Sequence, residues 1–126
     1  MEKIKRIYIT DKALALLDEL TAIHGPLLFH QSGGCCDGSS PMCFLMNEFK
    51  IGNGDVGLGY IGAIPFWMSK DQFEYWKHTK LILDVVPGRG SSFSLEIPTG
   101  KRFIIRSEIF SDEEYKHLEP VFYKEN

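Results

Sequence analysis

The chain has 126 residues, enough for one domain with a real core, and its 44% hydrophobic and 25% charged content is that of an ordinary globular protein. A formal net charge of −3 gives no basis for a nucleic-acid partner, which would need clustered Lys and Arg. No apolar run approaches the ~20 residues of a membrane helix and residues 1–6 lack a secretory signal's apolar region, so no membrane partner and a cytoplasmic location with reduced thiols are expected.

In chain order, residues 3–9 read as a strand with Ile7 and Ile9 on one face. Thr10 is a helix N-cap and Asp11 suits the positive helix end. The helix continues to about residue 24, because Ala13, Leu16, Leu17, Leu20 and Ile23 recur at three- and four-residue spacing. Gly25 fits a left-handed C′ position and Pro26 blocks continuation. Strands are expected over 27–31 and 42–50, with Gly52, Asn53, Gly54 and Asp55 forming a turn, and over 64–68. Ser69 with Gln72 resembles a capping box opening a short helix, with Phe73 and Trp76 on one side. Residues 80–86 read as a strand and 87–90 as a turn. Phe93, Leu95 and Ile97 alternate with Ser92, Ser94 and Glu96, the pattern of a half-buried strand. Residues 98–100 turn into a strand over 102–107, where Phe103 and Ile105 oppose Arg102 and Arg106, and Ser111 begins a short acidic helical turn over 112–118. One long helix with six or seven short strands predicts a single α+β domain over 1–126, mainly β, a compact β-sandwich or barrel-like body with one N-terminal helix and one or two short ones.

All three cysteines, Cys35, Cys36 and Cys43, lie with His30 in the stretch 29–43, joined by glycines, serines and Pro41. In a regular strand Cys35 and Cys36 would point to opposite faces and could not share an ion. The flanking Gly33, Gly34 and Gly38 remove that constraint, and residues 38–41 can fold back and return Cys43 to the others. Three thiolates with His30 would make four ligands for a transition metal, iron or zinc, or an iron–sulfur cluster, within one chain or across a homodimer. The spacing C-C-x6-C is not a standard zinc signature. Two other readings of the same residues stand beside it. Cys35 and Cys36 can be small turn residues with Cys43 a buried apolar side chain. Or one thiolate is a nucleophile or redox group acting on a small electrophile such as an aldehyde, with His30 as base and Asp37 orienting it.

Elsewhere the chemistry is sparser. The glycines at 52, 54, 57, 59 and 62 lack the Lys-Ser/Thr ending of a phosphate loop. Arg89 reads as a turn arginine, Arg102 and Arg106 as a solvated strand face, and His24, His78 and His117 as residues at helix ends. The aromatics between Tyr60 and Trp76 are expected to pack against the sheet or a second subunit.

The cysteine stretch, the run Phe73-Glu74-Tyr75-Trp76-Lys77-His78-Thr79 and the run Val85-Val86-Pro87-Gly88-Arg89-Gly90 together resemble an uncharacterised bacterial family, domain of unknown function 779, over nearly the whole chain. Genes of that family often lie near aldehyde dehydrogenase genes, so the resemblance implies aldehyde metabolism and an aldehyde dehydrogenase as partner. The chain is also distantly similar to the A-type iron–sulfur carriers. Those enter their helix through Ile-Thr-x-x-Ala, matched by Ile9, Thr10 and Ala13, and carry Gly-Gly-Cys-x-Gly, to which Gly33, Gly34, Cys35, Cys36, Asp37 and Gly38 are similar with one residue more. Phe93 and Pro98 match their late Phe and Pro, while their carboxy-terminal Cys-x-Cys has no counterpart after Cys43. The resemblance implies the carrier fold and an accessory protein holding a metal or cluster on the loop.

Overall fold

A computed structural model of the chain describes residues 4–31, 41–47, 50–52, 54–88 and 94–123. The elements in order are β1 (Ile7–Ile9), α1 (Asp11–His24), β2 (Leu27–Gln31), β3 (Met42–Leu45), β4 (Asp55–Ile61), β5 (Ile64–Ser69), α2 (Lys70–Trp76), β6 (Thr79–Pro87), a 3-10 turn (Ile97–Thr99), β7 (Lys101–Ile109), α3 (Asp112–Tyr115) and β8 (Phe122–Tyr123). The described residues form two mixed sheets, β1-β6-β7 and β3-β2-β5-β4-β8. In each, one pair is parallel: β1 with β6, and β2 with β5. The protein is therefore mainly β, as its sequence predicts.

Both sheets and α1 contribute to one core. Phe29 and Phe66 come from the larger sheet and Leu83, Phe103 and Ile105 from the smaller, all fully buried. Phe29 stacks on Phe66 at 5.8 Å and meets Phe103 edge-on at 5.0 Å, which ties the sheets together. Each such ring contributes roughly 1.5–3 kcal/mol through burial. The Thr10 hydroxyl accepts the Ala13 amide at 3.3 Å, and Ala13, Leu16, Leu17 and Leu20 face the core. Ile23 does not: it is 73% exposed, standing at the edge of the apolar stripe in the last helical turn. Gly25 ends the helix at φ 86°, and its amide donates to the Thr21 carbonyl.

The glycine-rich stretch becomes β4, which no alternation announces. The register against β5 shifts between Gly57 and Gly59, so Leu58 and Ile61 both reach the core while Tyr60 points outward. Gly57 lies under the Phe122 ring; a Cβ there would sit 2.0 Å from it. Phe122 stacks on Tyr60 and meets Trp67 edge-on, both at 5.1 Å. Gly57→Ala is therefore expected to expel Phe122 and undock β8, costing about 1–3 kcal/mol. Faster proteolysis of the C-terminal segment and altered Trp67 fluorescence would register it.

Three expected strands differ, the first because β1 covers only Ile7–Ile9 of the expected 3–9 among the described residues. β3 stops at Leu45, where residues 46–47 turn and the Met46 amide donates to the Pro26 carbonyl. Over 94–97 there is no strand: Ser94 and Glu96 are buried at 3% and 0% exposure, while Leu95 and Ile97 are half-buried. Polar partners turned that pattern inside out. Cys43 N–H donates to Ser94 Oγ at 2.8 Å, Leu95 N–H to the Cys43 carbonyl at 3.0 Å, and Phe103 N–H to Glu96 Oε2 at 3.1 Å. The Ser94 hydroxyl donates to Glu96 Oε1. The segment thus satisfies backbone groups on β3 in one sheet and β7 in the other, linking their edges. The expected turn at 87–90 is described only to Gly88, and Phe93 lies outside the described residues.

Candidate functional site

Strand alternation decides which nominated residues can meet. Phe29 pairs with Cys43 across β2 and β3, and both sit in the core. His30, the next residue along β2, therefore projects from the opposite face. It pairs with Met42 on one side and Trp67 on the other.

Cys43 is fully buried in the hydrophobic core, with Ser94 and Glu96 nearby. Burial pushes its thiol well above the usual range and the charge of Glu96 adds to the effect, so it stays a protonated thiol. A protonated thiol is not a nucleophile, and Cys43 stands on the core face of the sheet, opposite His30. The structure thus does not bring Cys43 and His30 together, and Cys43 takes the core role that was one of its readings. Cys35, Cys36 and Asp37 lie outside the described residues. By connectivity they belong to the link between β2 and β3, which leaves one residue after His30 and returns next to its cross-strand partner, Met42.

His30 is 6% exposed, and its Nε2 lies 2.8 Å from Asp55 Oδ1. The pair spans β5, since His30 is on β2 and Asp55 opens β4. Asp55 is itself fixed by the glycine turn before it. Its Oδ2 accepts the Gly52 amide at 2.7 Å, and its own amide donates to the Gly52 carbonyl at 3.1 Å. The Lys70 amide, opening α2, donates to the Gly54 carbonyl at 2.8 Å. The carboxylate thus has one oxygen on the turn and one on the imidazole. Such an acceptor sets the ring's orientation.

Sequence reasoning missed Asp55, reading it as a turn residue. The available signal was an acidic side chain at the first position of a strand, where Asp is disfavoured. The remaining histidines keep modest roles. His24 closes α1, His78 packs on Tyr115 at 5.1 Å, and His117 lies 3.7 Å from Glu113. Arg106 does more than solvate a strand face, since its Nε donates to buried Asp84 at 2.6 Å. Among the described residues, no group of three or more His, Cys, Asp or Glu is placed to hold a metal. His30 is held by the Asp55 carboxylate on Nε2, and Cys43 is sealed in the core on the other face of the sheet. Nor, among the described residues, is any helix long and apolar enough to cross a membrane.

A family model described as Domain of unknown function (DUF779) matches residues 16–109, most of the chain. The chain belongs to that family. In this DUF779 member the matched span contains His30, all three cysteines, Asp55 and Glu96. No curated protein and no solved structure matches the chain.

Proposed function

We propose that this protein is a cytoplasmic accessory protein that binds a transition metal, iron or zinc, or an iron–sulfur centre, at the root of its cysteine-bearing connection. The observation that carries the reading is the His30–Asp55 hydrogen bond. Metal-binding histidines are ordinarily held this way, with a carboxylate on the second ring nitrogen. His30 supplies the nitrogen, Cys35 and Cys36 the thiolates, and Cys43 is withdrawn from the ligand set. Three ligands from one chain leave a position for solvent, substrate or a second copy, consistent with a homodimer. The distant sequence resemblance of the Gly-Gly-Cys segment to the A-type carriers suggests a cluster as one form of the cargo. An aldehyde dehydrogenase is the partner suggested by the family's gene neighbourhood.

Elemental analysis and a visible spectrum of anaerobically purified protein test the proposal. Stoichiometric metal is expected, lost in a Cys35→Ala/Cys36→Ala variant. The same pair also suits a second reading, in which His30 is the base that activates one loop cysteine toward an aldehyde or similar electrophile. Metal-free protein with one fast-alkylating cysteine, slowed by His30→Ala, would favour that reading and end the first.

A further inference from the structure

A second site lies away from the histidine. A cavity of about 400 Å³ opens between the first half of α1 and the end of the β6–β7 pair, lined by Lys12, Ala15, Val85, Val86, Pro87 and Lys101. Pro87 and Lys101 are cross-strand partners, which fixes one lysine at the mouth of the hairpin. Lys12 and Ala15, three apart, share one side of the helix. The volume is within the range of small-molecule sites.

Two of the lining residues are lysines. Lys12 stands in the first turn of α1, where the helix dipole disfavours a cation. Lys101 lines the same cavity, so two basic side chains border it. Lys77, Lys80 and Lys116 each lie within 4 Å of a glutamate, but among the described residues neither Lys12 nor Lys101 has a carboxylate partner. Asp11, one residue earlier and about 100° round the helix, does not line the cavity. The other described lining residues, Ala15, Val85, Val86 and Pro87, offer hydrocarbon side chains.

The geometry points to a binding site for a small amphiphilic anion, a monocarboxylate with a short hydrocarbon tail, its tail on Ala15, Val85, Val86 and Pro87 and its head between Lys12 and Lys101. A neutral alcohol of equal length would forgo the two cations, and inorganic phosphate would forgo the apolar floor. The site is independent of the proposed metal.

Titration of the full chain with octanoate, followed by amide NMR, tests it. Saturable shifts centred on Ala15, Val85, Val86 and Lys101 are expected. Octan-1-ol and inorganic phosphate should each bind about tenfold more weakly or worse, as should octanoate to the Lys12→Glu/Lys101→Glu variant. Both lysines are exposed, so that variant should fold, which an unchanged circular dichroism spectrum would verify. The His30→Ala variant should bind octanoate as the parent does. Absence of saturable shifts, equal affinity for octan-1-ol, or undiminished binding by the charge-reversed variant would overturn the assignment.

Discussion

Glu96→Ala is expected to lower the unfolding free energy by about 2–6 kcal/mol, visible as an earlier denaturant midpoint at unchanged slope. Glu96 is completely buried and accepts from the Ser94 hydroxyl and the Phe103 amide. Removing its carboxylate strands both donors away from water, at roughly 1–3 kcal/mol each. Ser94 in turn holds the Cys43 amide, so the loss reaches β3 as well as β7. Glu96→Gln keeps the shape and one acceptor oxygen, and should cost about 1 kcal/mol. An alanine variant as stable as the parent would mean that the link between the two sheet edges contributes nothing.

The second large effect is acid lability at Asp84. Burial alone would raise its carboxyl. Hydrogen bonds from the Arg106 guanidinium, the Val85 amide and the Thr10 hydroxyl, with the Arg106 charge, outweigh burial and hold it at about 2 against an ordinary 3.8. In this window the unfolded chain binds more protons than the folded one, so stability rises with pH. The contribution is complete above about pH 4 and disappears as pH falls through 2. About 1–2 kcal/mol is expected after allowing for screening of Arg106, whose side chain is half exposed. Asp84→Asn should lose that amount at pH 7 and flatten the stability curve between pH 4 and 2. Because Thr10 is the α1 N-cap and its amide donates to the Leu83 carbonyl, α1 should loosen first, detectable by amide exchange at residues 11–14.

What the sequence made legible follows from where local rules met tertiary demands. α1, β2 and the start of α2 are readable because cap chemistry and apolar spacing are local, and tertiary packing agrees with both. β4 is hidden because its glycines serve a neighbour: Gly57 makes room for Phe122, and the bulge before Gly59 breaks the period of two. Residues 94–97 mislead for the opposite reason. Their alternation is regular, yet the buried members are Ser94 and Glu96, which found amide and hydroxyl partners that no local pattern encodes. The site divides similarly. The cysteine stretch and His30 are conspicuous as composition, but Asp55 is 25 residues away along the chain and meets His30 only because β5 lies between their strands. Strand parity then separates His30 from Cys43, a fact of register that thiol counting along the chain does not contain.

Cobalt(II) titration of anaerobically reduced protein, read by its ligand-field and thiolate charge-transfer absorption, separates the two faces of the larger sheet. Cys43→Ala should retain the parent spectrum and stoichiometry, whereas His30→Ala should lose the bound cobalt or bind it far more weakly. A spectrum abolished by Cys43→Ala in folded protein, or one indifferent to His30→Ala, would contradict a metal centre built on His30 and Asp55.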